Sequence, residues 1–283
     1  MLKHRIYSGL LISTVLFVAI FALPPPMWLI VLLLICGRGS WELHALLKAA
    51  KVPQEKSIAL IGGLLLIGGT WFQERHTQAG ESSALEWSIL FLVVTVTWWS
   101  QFRRPYNTHS LETIAGTLLG IMYIPFLFNF FTKLLVGWEK SDGRLIVLYL
   151  IVIVKCTDIG AYFVGSKFGR HKLFPRISPA KTWEGCVGGI LSGMIVSLSW
   201  YLCTRGDFFV VSMTIVDALI LGVCLPVIGI VGDLTESLLK RSAAVKDSGK
   251  IIKGMGGVLD VIDSLLFAGP AMYIYTHLFL EKI

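Results

Sequence analysis

The chain reads as an all-α, polytopic integral membrane protein with about nine transmembrane helices. Three observations predict this class. Of 283 residues, 55% are hydrophobic and only 15% are charged, where a soluble domain carries roughly 25% charged residues. The mean hydropathy is +0.73. Apolar runs recur along the whole length, and a membrane span needs about 20 such residues, with a range near 17–25.

The first run, Ile6–Leu23, follows the basic start Met1–Arg5 and imitates a signal peptide. No small-residue cleavage site follows. Pro24-Pro25-Pro26 does, and then a second run, Met27–Leu47, which predicts an uncleaved first span. Ile58–Phe72 and Trp87–Gln101 are short for spans. Ile114–Phe131 contains Pro125, which predicts a kink. Leu145–Val164, Cys186–Cys203, Val210–Val231 and Val258–Leu280 complete the set.

With the N-terminus inside, 17 Lys and Arg fall on inside segments and 6 outside, with Arg38 and Lys155 within spans. That bias supports the orientation. The formal net charge of +7 then reflects topology and contact with anionic lipid headgroups, and predicts no nucleic-acid partner. Cys36, Cys156, Cys186, Cys203 and Cys224 lie in or beside apolar runs with no metal-type pair among them. The chain divides into residues 1–144, holding spans one to five and little recognisable chemistry, and residues 145–283, a C-terminal catalytic transmembrane region with two cytosolic loops.

Those two loops flank the seventh span. One covers Asp158 to Gly185 and ends Ser178-Pro179-Ala180-Lys181-Thr182-Trp183-Glu184-Gly185. Two hydroxyls and an ammonium just before a helix start suit a phosphate oxygen. The alternative is an N-cap beside lipid-facing cations. Asp158 sits one turn from Lys155, and is either a metal or substrate contact or half of an i,i+3 ion pair. His171 reads as a solvated loop residue.

The other loop follows the eighth span. Asp233, Ser237, Lys240 and Arg241 are spaced i, i+4, i+7, i+8, so a continuing helix places them on one face. Lys246 and Asp247 come next, and Asp247 can alternatively pair with Lys246 or Lys250. Gly254, Gly256 and Gly257 permit a tight turn and close backbone approach to a phosphate. Asp260 and Asp263, at i,i+3, share the face of a further helix. Magnesium takes hard oxygen ligands, typically a few carboxylates plus phosphate oxygens. Asp233 and Asp260 are the first candidates for that role, with Asp247 and Asp263 next.

The run Ser237-x-x-Lys240-Arg241-x4-Lys246-Asp247, then Gly256-Gly257 and Asp260-x-x-Asp263, resembles the signature of the phosphatidate cytidylyltransferases, also called CDP-diacylglycerol synthases. Asp158-Ile159-Gly160-Ala161-Tyr162-Phe163 and Ser178 to Gly185 resemble two further stretches of that family. Lys253 stands at a family proline, Met255 at a family histidine and Val261 at a family arginine. The resemblance is strong over about residues 155–270, and reaches the N-terminal half only through general hydropathy and the Trp41-Glu42 pair.

The resemblance implies cytidylyl transfer from CTP to phosphatidic acid, releasing pyrophosphate and leaving CDP-diacylglycerol. It implies magnesium as cofactor and a bacterial inner membrane as location, and it admits a homodimer. Lys240, Arg241, Lys246, Asp247 and Asp263 are then the catalytic residues. Ser178, Lys181, Thr182, Ser237, Gly256, Gly257 and Lys253 bind substrate, and either Lys253 supplies the charge that Val261 lacks or the enzyme is intrinsically slower. Asp233, Asp260 and Asp158 are the metal ligands. Two other functions are compatible with the chain: a CTP-dependent enzyme acting on another lipid acceptor, and a non-catalytic lipid-binding or transport protein. The retained carboxylates argue against the second.

Overall fold

A computed structural model describes residues 21–76, 84–103, 108–138, 143–208, 210–249 and 256–282. The chain is an all-α polytopic membrane protein. Among the described residues the helices are α1 Pro25–Ala49, α2 Lys56–His76, α3 Ala84–Phe102, α4 Ser110–Ile121, α5 Leu127–Val136, α6 Arg144–Phe168, α7 Trp183–Thr204, α8 Ile215–Ser242 and α9 Leu259–Leu278. Two short antiparallel pairs accompany them, β1 Lys172–Phe174 with β2 Ser178–Thr182, and β3 Val211–Ser212 with β4 Glu281–Lys282.

Six stretches of the described residues are long and apolar enough to cross a membrane: α1, Lys56–Arg75 of α2, Ser110–Val136 through α4 and α5, α6, α7 and α8. Helices α3 and α9 occupy the predicted fourth and ninth spans but fall outside that set. Most of the first predicted span lies outside the described residues. Val210 to Ser212, expected to open the eighth span, instead lead into and form β3, and α8 starts at Ile215. At its other end α8 continues to Ser242, well past Val231.

The chain forms two compact units. One comprises the residues up to 139 together with Leu239–Ile262, and the other comprises residues 140–238 with Asp263–Ile283. The division falls inside both α8 and α9.

In the first unit, Pro25 opens α1, where a missing N–H and a fixed φ fit the first helical turn. The buried face of α1 runs Trp28, Leu32, Cys36, Gly39, Leu43 and Leu47, while Met27, Ile30, Leu34 and Trp41 are large exposed apolar residues. Apolar side chains both facing in and facing out mark a helix with protein on one side and lipid on the other. Pro125 lies within a π-helical turn, Met122–Phe126, that joins α4 to α5. The wider turn accommodates the missing donor of proline, at the position where the sequence predicts a kink. Gly63 of α2 lies against the Pro125 ring, at a distance no side chain would allow.

A buried polar network joins α2, α3 and α5. Glu86 Oε1 accepts from Thr70 Oγ1 at 2.8 Å and Asn129 Nδ2 at 3.1 Å, and Lys133 Nζ lies 2.7 Å from Oε2. Lys133 lies on α5, beyond Phe131 where the fifth predicted span ends. Glu86→Gln keeps the shape but removes the charge opposite Lys133. It should lower stability by about 1–3 kcal/mol, read as a fall in the melting temperature in detergent. An unchanged melting temperature would show that Lys133 reaches solvent on its own.

In the second unit, α6, α7 and α8 meet along small residues. A Cβ on Gly160 would strike Ser192, one on Gly188 would strike Val164, and one on Gly193 would strike Pro226. Close backbone approach of this kind is how helices associate where water gives no hydrophobic drive. Tyr149 completes the packing. It lies 2.7 Å from Ser197 Oγ and edge-on to Trp200 and Phe208.

Candidate active site

In the second unit, Asp233 and Glu236 on α8 and Asp263 on α9 bring three carboxylates together, with one oxygen of each within 4.8 Å of the others. Helical spacing of three puts Asp233 and Glu236 on one face. Gly232 lets the α9 backbone come close, because a Cβ there would meet the Asp263 carbonyl. Glu236 is fully buried and Asp263 nearly so. Lys181 Nζ lies 2.8 Å from Asp233 Oδ2 and donates to the Ile230 carbonyl at 3.4 Å. Ser237 Oγ donates to Asp233 Oδ1 at 3.4 Å, and the Ser264 amide donates to Asp263 Oδ1 at 2.6 Å.

Three clustered carboxylates repel one another unless cations offset them. Lys181 supplies one positive charge. The all-oxygen donor set and the remaining negative charge fit a hard divalent cation such as magnesium.

Lys181 reaches Asp233 from β2. Ser178 and Thr182 sit on the same strand, so the end of the loop read from Asp158 to Gly185 contains a hairpin. Thr182 caps α7, its Oγ1 accepting from the Gly185 amide at 3.1 Å. The capping alternative thus holds for that hydroxyl, while Lys181 faces an acid. His171 is exposed yet engaged: its Nδ1 lies 2.7 Å from Glu184 Oε1, and the Arg170 and His171 amides donate to the same carboxylate. Asp158 is not one of the three acids within 4.8 Å of one another, but it is close enough to interact electrostatically with Asp233 and Asp263, and it pairs with Lys155 at 3.5 Å, the i,i+3 arrangement.

In the first unit, Lys240 Nζ lies 2.7 Å from Asp260 Oδ1, and both side chains are largely buried, at 13% and 8% exposure. The other Asp260 oxygen accepts from Ser248 N at 3.0 Å, Ser248 Oγ at 2.7 Å and Gly257 N at 2.7 Å. Gly256 takes φ +99, and a Cβ there would run into this carboxylate. Asp260 therefore ties a glycine turn to the end of α8. Arg241, Lys246 and Asp247 are exposed. Val261 is buried. Gly254, Met255 and Lys253 lie outside the described residues.

Sequence reading missed Glu236 and Ser248, and it noted Glu42 only as part of the Trp41-Glu42 pair, with no role. Glu42, buried in α1, lies 3.2 Å from Arg38, accepts from the Leu259 amide at 2.9 Å and lies 3.3 Å from Ser248 Oγ. Two ionisable residues four apart inside an apolar run were the available signal.

A membrane protein with a carboxylate–lysine pair at a glycine turn in one unit, and three carboxylates with a lysine in the other, belongs among the membrane-embedded handlers of phosphate groups. The chain is a member of the cytidylyltransferase family, whose model matches residues 3–279. It is similar to the phosphatidate cytidylyltransferase of Bacillus subtilis (strain 168), with 33% identity over 98% of both chains. It is also similar to the protein of that name from Haemophilus influenzae, with 29% identity over 99% of each. A third such protein, from Chlamydia pneumoniae, is 33% identical over 85% of this chain and 79% of its own.

Proposed function

We propose that this chain is a membrane enzyme that transfers a cytidylyl group from CTP to phosphatidic acid. A phosphate oxygen of the lipid bonds to the α-phosphorus of CTP. The bond from that phosphorus to the bridging oxygen of the β-phosphate breaks, pyrophosphate leaves with the electron pair, and CDP-diacylglycerol remains. The observation that carries this reading is the three-carboxylate centre with Lys181 at its edge, in a chain that resembles named phosphatidate cytidylyltransferases end to end.

The lipid phosphate is already largely ionised near neutral pH, so no strong base is needed. The demand is to bring polyanions together and stabilise the departing pyrophosphate. Asp233, Glu236 and Asp263 would hold magnesium, which supplies charge neutralisation at phosphate oxygens when bound. Lys181 orients Asp233 and offers positive charge at the same centre. Lys240, poised on Asp260, and the exposed Arg241 and Lys246 offer phosphate contacts, and the amides of the Gly256–Gly257 turn can approach an anion closely. Asp233 and Ser237 stay within one helix, so the hydroxyl steadies the acid.

The experiment is turnover by purified protein in detergent with labelled CTP, phosphatidate and magnesium. CDP-lipid and pyrophosphate should appear in equal amounts, and a prenyl alcohol or ether lipid should react more slowly. Absence of CDP-lipid would overturn the proposal, and preference for another acceptor would redirect it. The reading also sets the N-terminus and both active-site loops on the cytosolic face of a bacterial inner membrane, where CTP is made. Cysteines placed at Lys172 and Lys246 should both be labelled from the cytosolic side only. Labelling from opposite sides would exclude that topology.

A further inference from the structure

We propose that Glu42 is a positioning residue for the glycine turn, and through it for Asp260 and Lys240. The inference rests on the proposed cytidylyl transfer. Glu42 lies within the apolar helix α1 with only 2% of its side chain exposed. A carboxylate held there is costly unless its charge and lone pairs are met. Arg38, one turn earlier at 3.2 Å, meets the charge. The lone pairs go to a segment more than 200 residues away in sequence: the Leu259 amide donates at 2.9 Å, and the Ser248 hydroxyl lies at 3.3 Å.

Leu259 is the first residue of α9, and its amide is one of the donors that a helix start leaves without an intrahelical acceptor. Glu42 therefore caps α9 from another helix. The turn is shaped to receive it. A Cβ on Gly249 or on Gly257 would collide with the Glu42 carboxylate. Ser248 links this contact to the next, because its single hydroxyl proton sits between Glu42 and Asp260, nearer to Asp260 at 2.7 Å. Arg38, Glu42, Asp260 and Lys240 together make two cations against two anions joined through one serine. That balance fixes where Asp260 stands, and Asp260 fixes the Lys240 ammonium. Glu42 needs no contact with substrate to matter, since a displacement of about 1 Å at a phosphate-binding group can cost on the order of a hundredfold in rate.

Two measurements on the full chain in detergent test this. In steady-state turnover, Glu42→Gln should lower kcat about tenfold or more while KM for CTP stays within about threefold, because the lost term is alignment rather than ground-state binding. In hydrogen exchange, Glu42→Ala should release the amides of Ser248, Gly257 and Leu259 and leave those of α6 and α7 as slow as in the parent. Should Glu42→Ala fail to fold, the near-isosteric Glu42→Gln carries the exchange measurement, with the Leu259 amide released most. A wild-type kcat in Glu42→Gln, or faster exchange spread evenly over all helices, would overturn the proposal. If the parent protein makes no CDP-lipid, the proposed activity fails, and the exchange measurement still decides whether Glu42 holds the turn.

Discussion

Asp233→Asn and Asp263→Asn should each reduce turnover of CTP to CDP-lipid by about a thousandfold, roughly 4 kcal/mol of transition-state stabilisation, while the protein inserts and purifies normally. Each substitution removes one charged oxygen donor from a centre where three carboxylates lie within 4.8 Å of one another. An amide oxygen is a poorer ligand for a hard cation and carries no charge. The magnesium concentration for half-maximal activity should rise in both variants, and in Glu236→Gln as well. Asp260→Asn separates two assignments. Its carboxylate is occupied by Lys240, the Ser248 amide and hydroxyl, and the Gly257 amide, so the variant should lose rate without shifting the magnesium requirement. A shift in Asp260→Asn equal to that in Asp233→Asn would restore Asp260 as a metal ligand. Near-parental turnover in both Asp233→Asn and Asp263→Asn would remove the acidic centre from the mechanism.

Lys240→Ala should be the most destabilising change in the glycine-turn region. It strands the buried Asp260 carboxylate, and removing one partner of a buried pair costs about 3–5 kcal/mol. Activity should fall at least a hundredfold through loss of the phosphate contact. Stability and activity separate in the double variant. Lys240→Ala with Asp260→Ala removes both charges, so it should melt higher than Lys240→Ala alone while remaining inactive. Additive losses in the two single variants would show that the pair is not coupled in solution.

Spans were legible because an apolar run of the right length has few alternatives, and Pro125 announced its irregularity. The hairpin of β1 and β2 was not. Its strands are three and five residues long, and Gly169, Arg170 and His171 before them carry no strand signal. At the site, spacing correctly joined Asp233 to Ser237 on one helix, and α8 does run unbroken through Lys240 and Arg241. Spacing could not sort Asp260 from Asp263, because both face one way on α9. What distinguishes them is partners far off in the chain: Ser248 and Lys240 for Asp260, and Asp233 and Glu236 for Asp263. Glu42 was noted beside Trp41, but its role was invisible for the same reason. Its partners are two residues of the turn that lie more than 200 positions away.

The glycine-lined seam of α6, α7 and α8 bears on how the enzyme meets bilayers of different thickness. Long flexible side chains between helices can slide and let each helix adjust its tilt alone. Here Gly160, Gly188 and Gly193 leave almost no such spacer, and the three helices are held backbone against side chain. Hydrophobic mismatch is relieved by tilting, and this seam obliges the three helices to tilt as one body. Lys181, carried at the entry to α7, and Asp233, on α8, ride on that body together. Their 2.8 Å contact should therefore persist in bilayers of different acyl-chain length.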